Sequence, residues 1–268
     1  MGINVILLYK LLSKLNYFFE KFVRNIFPKN MHIRLLYIKN KLLGLDNSYK
    51  NFTDEQIFEN IYRNASWGED EHGNATSGAG SHSTGIIKPY INVIKFFLRS
   101  RKLNSLVDLG CGDFNVGKNF VEFSDTFVAC DLSSTILKHN RSQFSDLNVK
   151  FKKINITKDL LPKGDVAFIR QVLQHLSNED IMMFVDSLKK DCPYQYLIVT
   201  EHISINKNSI PNLNKPTGPG IRIGINSGVV LDEPPFNLAY IEKKLLLDTP
   251  QDEGGFESSI RTVMYRIF

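Results

Sequence analysis

The sequence predicts an α/β fold, a doubly wound and mostly parallel seven-stranded sheet with an α-helical N-terminal extension. Three observations carry this. From residue 105 onward, apolar runs of strand length alternate with amphipathic stretches of helix length. The first two runs end on turn or cap residues: Leu106-Val107-Asp108-Leu109 breaks at Gly110-Cys111-Gly112, and Phe127-Val128-Ala129-Cys130 stops at Asp131. Before residue 50 the pattern is helical only, with basic residues between the apolar ones.

In chain order, Leu8, Leu11, Leu12, Leu15, Phe18, Phe19, Phe22 and Ile26 recur at helical spacing up to Pro28, and Ile33–Leu43 repeats the pattern up to Gly44. Residues 1–50 thus read as a basic amphipathic extension and residues 51–268 as the main domain. Residues 52–63 form a helix capped by Thr53 or Asp54, with Ile57, Phe58 and Ile61 on one face. Residues 67–81, rich in glycine, serine and acids, form a long loop of the kind that covers or binds a ligand. A helix over 86–102 leads into strands near 105–109, 126–131, 148–154, 165–170 and 195–201. Helices near 115–123, 133–143 and 177–190 separate them, the last opening at Ser177 ahead of Ile181, Phe184, Val185 and Leu188. Residues 242–248 and 260–268 supply two further strands.

Composition narrows the class. A chain of 268 residues can bury one sizeable core. Its three cysteines, Cys111, Cys130 and Cys192, show no C-x-x-C and no metal-ligand spacing, which points to a reducing, cytoplasmic setting without structural zinc. The net charge of +5 is uneven: residues 1–45 carry +7 and the remainder −2. The basic charge therefore belongs to the extension, and a nucleic-acid enzyme would more often show it around the active site. A basic amphipathic helix suits the inner face of an anionic membrane; equally, its apolar face suits packing on the main domain or on a second copy of the chain. Its apolar run is too short to span a bilayer.

The glycine turn after residue 109 and the acid at 131 have the layout of a nucleoside site. Backbone without Cβ atoms lies at one end and a carboxylate for two ribose hydroxyls at the other. Asp131 has a second reading, as a cap for the helix starting at Ser133. A dinucleotide fold wants G-x-G-x-x-G, yet Asn115 stands where the third glycine belongs, and Asp113 would face a pyrophosphate. An NAD-dependent oxidoreductase is disfavoured on both counts.

The run Val107-Asp108-Leu109-Gly110-Cys111-Gly112 resembles motif I of the class I S-adenosylmethionine-dependent methyltransferases. That resemblance implies S-adenosylmethionine as cofactor and a closing hairpin strand. It also implies cofactor contacts at Asp108, Gly110, Cys111, Gly112, Asp131, Leu132, Asn155, Ile156, Arg170 and Gln171. Many relatives have an aspartate where Asn155 stands; its side-chain carbonyl can still take the adenine amino group, or Asn155 is a turn residue. Arg170-Gln171-Val172-Leu173-Gln174-His175-Leu176 resembles the segment after the fourth strand of methyltransferases with a V-L-x-H-L core. His175 is the candidate catalytic residue, as a general base toward a hydroxyl or as a group orienting the cofactor. The N/D-P-P-Y/F motif is absent at this strand, which weakens a base or amide N-methylation reading.

Trp67-Gly68, Ser77-Gly78-Ala79-Gly80-Ser81, the V-L-x-H-L segment and Pro234-Pro235-Phe236 together resemble a subgroup associated with bacterial surface-polysaccharide loci. This implies an acceptor site built from Trp67, Ser77, Gly78, Ser81, His202, Arg222, Asn226 and Phe236. Arg222 and Asn226 lie in a glycine- and proline-rich insertion, where such side chains suit a polar or anionic acceptor or simply a surface loop. The expected activity is methyl transfer to a hydroxyl or phosphate-linked oxygen of a sugar or glycan, polysaccharide biosynthesis being the setting. A small-molecule O- or N-methyltransferase and a cofactor-binding partner subunit without catalysis are the alternatives, and a homo-oligomer is compatible with each.

Overall fold

The computed structural model describes Tyr49 and residues 51–190, 193–253 and 256–267. The predicted helices of the extension, over 5–26 and 33–43, lie outside the described residues, and so does Cys192.

Seven strands form one sheet: β1 (Ser105–Leu109), β2 (Thr126–Asp131), β3 (Val149–Lys153), β4 (Val166–Arg170), β5 (Tyr196–Ser204), β6 (Glu242–Glu253) and β7 (Phe256–Arg266). Their order is β3-β2-β1-β4-β5-β7-β6. β1 to β5 are parallel, and β7 lies antiparallel between β5 and β6. The helices are α1 (Asp54–Arg63), the short α2 (Ala79–His82), α3 (Thr84–Arg99), α4 (Ser134–Gln143) and α5 (Asn178–Lys190). Among the described residues no helix is long and apolar enough to cross a membrane.

Both faces of β1, β2, β4 and β5 are covered, which is why they read as near-continuous apolar runs. At the sheet edge β3 exposes Lys150, Lys152 and Lys153. Side chains alternate by residue. Val107, Leu109, Ala167 and Ile169 face Ile181, Phe184, Val185 and Leu188 of α5. Leu106, Val166, Phe168 and Ile198 face Tyr90, Ile94, Phe97 and Leu98 of α3. Asp108 shares the face of Leu106 and interrupts that apolar layer at the end of β1.

The caps follow the predicted chemistry. Thr53 is the cap of α1, its hydroxyl accepting from the Gln56 N–H while Gln56 Oε1 accepts from the Thr53 N–H. Ahead of α5 the Asp180 N–H donates to the Ser177 hydroxyl, which itself donates to Asp180 Oδ2, while the Ser177 N–H donates to the Thr217 hydroxyl. One expectation changes. The stretch 115–123 forms a 3-10 helix, Gly117–Phe123, because the Asn119 side chain donates to the carbonyls of Asn115 and Val116 and competes with the α-helical ladder. The hairpin strands also run longer than the pattern suggests, at 242–253 and 256–266.

Candidate functional site

A cavity of about 520 Å³ opens at the C-terminal ends of the parallel strands, within the size range of small-molecule and cofactor sites. Its floor and walls bring together Asp108, Gly110, Cys111 and Gly112 after β1, Asp131 and Leu132 after β2, Asn155 and Ile156 after β3, and Arg170 and Gln171 at the end of β4. Trp67, Ser77, Gly78, Ser81, His175 and His202 line it as well. Sixteen of the nineteen residues singled out from the sequence therefore share one space.

The glycine turn is held by backbone geometry. Gly110 and Gly112 have φ of +79° and +53°, where a Cβ is strained. The N–H groups of Gly110 and Cys111 both donate to the Cys130 carbonyl at 2.8 Å, tying the turn to the tip of β2. The space that a Cβ would take at Gly110 is filled by the Val172 side chain, and at Gly112 by the Ser77 hydroxyl. Bare backbone here thus admits the chain's own side chains at those two points, where the sequence suggested room for a ligand.

Asp131 ties the glycine turn to the start of the following helix. Its Oδ2 accepts from the Gly112 N–H at 3.0 Å, and its Oδ1 from the Ser133 N–H at 2.9 Å. Burial pushes its carboxyl up to about 6, against these stabilising bonds. Asp108 is pushed up to about 7 by burial and then by the neighbouring Asp131 charge; Arg170 pulls the other way. Arg170 donates to the Gly80 carbonyl at 2.6 Å and to Ser81 Oγ at 3.3 Å, with its guanidinium over the Tyr90 ring.

The loop over 67–82 is fastened to the glycine turn. The Ser77 N–H donates to Asp113 Oδ2 at 2.7 Å, and the Asp113 N–H returns a bond to Ser77 Oγ at 2.9 Å. His82 Nε2 reaches the same Oδ2 at 2.6 Å. Trp67 packs at a tilt against His175 with ring centroids 4.8 Å apart, and its indole N–H lies 3.5 Å from the Pro219 carbonyl. Loops from opposite ends of the chain thereby meet over the cavity.

His175 sits in the 3-10 turn Leu173–His175. Burial, helped by the Lys215 charge and opposed by the carbonyls of Gly218 to Gly220, lowers its imidazole to about 3. The ring is neutral at physiological pH and a weak base, a poor match for a proton acceptor working near neutrality. Glu201 holds the turn from below: its carboxylate accepts from the N–H groups of Val172, Leu173 and Gln174 at 3.2, 3.0 and 2.9 Å. Glu201 was not among the residues expected from sequence. Its signal was there, as an acid within the apolar run Tyr196–Ser204.

Three expected acceptor residues lie elsewhere. Arg222 is fully buried and donates to the carbonyls of Leu213, Leu173 and Leu176 and to Asn178 Oδ1; its charge is spent inside the protein. Asn226 caps a 3-10 turn at φ +56°, bonded to Ser204 and the Asn208 carbonyl. Phe236 is 1% exposed and belongs to the core beside α5. Asn155 lines the cavity, but its Oδ1 accepts from the N–H and hydroxyl of Thr157, so the turn role applies to its side-chain oxygen.

No family model and no curated protein matches the sequence. Solved structures do match the fold. The N-methyltransferase NodS from Bradyrhizobium japonicum WM9, in complex with S-adenosyl-L-homocysteine, superposes with a TM-score of 0.51 at 10% identity, covering 77% of this chain and 98% of that one. The N-terminal domain of EvdMO1 with SAH bound gives 0.49 at 12% identity over 78% and 96%. Human N-acetylserotonin methyltransferase in complex with SAM gives 0.48 at 10% over 82% and 61%. The sheet order, the antiparallel β7 and the superposition on NodS agree: this chain has the Rossmann-like fold of class I methyltransferases.

Proposed function

We propose that the protein is an S-adenosylmethionine-dependent methyltransferase that acts on a hydroxyl, or a phosphate-linked oxygen, of a sugar or glycan. The observation that carries the cofactor half is the junction of Gly112 and Asp131 in the cavity floor. Each Asp131 oxygen accepts one backbone N–H and retains capacity for a ribose hydroxyl. Leu132 and Ile156 supply apolar flanks for a flat base. The wall of buried carboxylates, with Asp108 beside Asp131, favours a ligand that carries positive charge and disfavours phosphate. Those features fit this cofactor.

Bound there, S-adenosylmethionine would supply a sulfonium methyl carbon open to in-line attack by an acceptor oxygen. The chain's own contribution is to position and to exclude water. Trp67, Pro219 and Gly220 cover the cavity from above. Ser81 and Gln171 add polar side chains to the same lining as Trp67, a surface that suits a sugar. The resemblance of Trp67-Gly68, Ser77–Ser81, Arg170–Leu176 and Pro234–Phe236, taken together, to the polysaccharide-locus subgroup supports the glycan reading. The +7 charge of residues 1–45 suits an acceptor held at an anionic membrane.

Thermal stabilisation by S-adenosylhomocysteine, with NAD and NADP alongside, tests the cofactor. The expected result is a shift with S-adenosylhomocysteine that Asp131→Ala abolishes; a shift with NAD alone refutes the reading. Labelled methyl transfer to a panel of sugars and lipid-linked sugars tests the acceptor, and labelling of amines only would overturn the oxygen assignment. Sedimentation of the full chain with anionic but not neutral vesicles is the result expected for membrane contact.

A further inference from the structure

Gln174 and His175 form a hydrogen-bonded pair whose polarity is set by the backbone around it. Gln174 Oε1 accepts from the His202 N–H at 3.3 Å, and Gln174 Nε2 donates to the Gln171 carbonyl at 3.4 Å. A backbone N–H only donates and a carbonyl only accepts, so both contacts orient the amide the same way. The same Nε2 lies 3.3 Å from His175 Nε2. An amide NH2 group donates and has no acceptor role, so His175 Nε2 is the acceptor in this pair. In a neutral imidazole the proton then belongs on Nδ1. His175 Nδ1 is buried without a hydrogen-bond partner, in a residue only 8% exposed on the wall of the cavity.

The charged surroundings keep the ring neutral, against the carbonyls of Gly218, Pro219 and Gly220, which favour its protonated form. Lys215 donates to the His175 carbonyl at 3.2 Å, and Arg222 donates to the carbonyls of Leu173 and Leu176 on either side. The Lys215 charge disfavours an imidazolium beside it. Glu201 directs its carboxylate to the amides of residues 172–174. Asp54, Asp108, Asp113 and Asp131 share the cavity wall but have other neighbours: Lys158 pairs with Asp54, Ser77 with Asp113, Gly112 with Asp131, and the Arg170 charge acts on Asp108.

We infer that His175 is a hydrogen-bond donor through Nδ1 toward an oxygen of the molecule that fills the cavity, and that Gln174 is the positioning residue that sets its tautomer. This rests on the proposed function only for the identity of that oxygen, which belongs either to the cofactor's carboxylate or to the acceptor. It replaces the general-base role expected from the sequence. A base would need a free lone pair aimed at the substrate, and the one lone pair of this ring is engaged by Gln174.

The tautomer can be read directly. Long-range proton–nitrogen NMR correlations on the full chain labelled with nitrogen-15 histidine distinguish a protonated from an unprotonated ring nitrogen. The expected spectrum for His175 is the neutral Nδ1–H form, unchanged from pH 5 to pH 9. An Nε2–H form, or a titration near neutral pH, would overturn the inference. Gln174→Glu should turn the ring around, giving Nε2–H and a titration in the neutral range, whereas an unchanged spectrum would show that Gln174 does not set the tautomer.

Adding S-adenosylhomocysteine alone, then with an acceptor sugar, shows which of them moves the Nδ1–H resonance; no movement with either refutes the donor role. In turnover, His175→Asn keeps a side-chain N–H donor and should retain activity within about tenfold of wild type, while His175→Ala loses about a hundredfold or more. Equal losses in the two variants would favour a base. The spectrum of the unliganded protein is independent of cofactor binding. Failure of S-adenosylhomocysteine to bind would thus sink the methyltransferase reading while leaving the Gln174–His175 pairing intact.

Discussion

Replacing Asp108 by asparagine should make the protein more stable, by an amount that depends on pH. The native carboxyl is pushed up to about 7 from an ordinary 3.8, chiefly by burial. In the folded state Asp108 therefore keeps its proton over a range where the unfolded chain has lost it. Stability falls as pH rises from about 4 to about 7 and levels off above, since both states are then ionised. With one pH unit worth about 1.4 kcal/mol, the site costs the folded state roughly 4 kcal/mol at pH 8 as an upper bound. Asparagine removes that cost but must bury an amide without its own partners, at roughly 1–2 kcal/mol. The net gain is about 2–3 kcal/mol at pH 8, or roughly 5–10 °C in Tm for a domain of this size. At pH 4, where Asp108 is protonated in the native protein, only the amide cost remains and the variant is less stable by roughly 1–2 kcal/mol. Urea unfolding of both proteins at pH 4, 6 and 8 measures this. A difference that is constant across pH, or a loss of stability at pH 8, would refute the burial argument. Stability should come at the expense of binding: the variant loses more affinity for S-adenosylmethionine than for S-adenosylhomocysteine, because only the former bears a positive sulfur.

Three further outcomes follow from named contacts. Arg222→Met should cost about 3 kcal/mol or more in urea unfolding, because it strands the carbonyls of Leu213 and Leu176 and the Asn178 side-chain oxygen; a cost under about 1 kcal/mol would show that these groups find other partners. Gly110→Ala should cost roughly 1–3 kcal/mol, part from its φ of +79° and part from overlap with Val172. Adding Val172→Ala should recover only the overlap part, and strict additivity of the two changes would exclude it. Ser77→Ala removes the acceptor of the Asp113 N–H and should lower stability by about 1–2 kcal/mol while speeding proteolysis within residues 67–82; protection unchanged would mean that the Ser77 N–H, His82, Trp67 and Arg170 contacts hold the loop without the hydroxyl.

Much of the frame was legible because parallel strands buried on both sides leave a plain trace. Leu106–Leu109, Phe127–Cys130 and Val166–Ile169 are apolar runs of strand length, and each ends where a glycine, an aspartate or an arginine must face a different environment. Asp131 was legible for the same reason, as a charge at the tip of a buried strand. Side chains whose role depends on what the fold lays over them were not. Arg222 stands among glycines and prolines and reads as solvent-facing, yet the chain closes on it from both Leu173–Asn178 and Leu213. Phe236 follows two prolines and reads as loop, but packs behind α5. The 3-10 form of residues 117–123 hinges on one asparagine turning its side chain back on the ladder, a competition that apolar periodicity does not register.

The insertion between β5 and β6 was read as the acceptor-binding part of the chain, and its polar side chains point to a different use. Arg222 grips the carbonyl side of the His175 turn, Thr217 bonds the Ser177 amide, and the Gly218 N–H bonds the His175 carbonyl. Asn212 cross-links the insertion to itself through the carbonyls of Val230 and Pro234. Glu201 holds the amide side of the same turn. A short 3-10 turn has few bonds of its own, so its orientation depends on such outside partners. The insertion thus acts mainly as a brace that sets the angle of His175 and Gln174, and the part of it that faces the cavity is the short stretch Pro219–Ile221. On the proposed reading, acceptor choice then divides between two elements. One is the glycine-containing edge at 219–221, whose backbone shape is easily altered; the other is the Trp67 face packed against His175. Variation at the first should change which acceptor is taken, while variation at Arg222 or Glu201 should lower turnover for every acceptor alike.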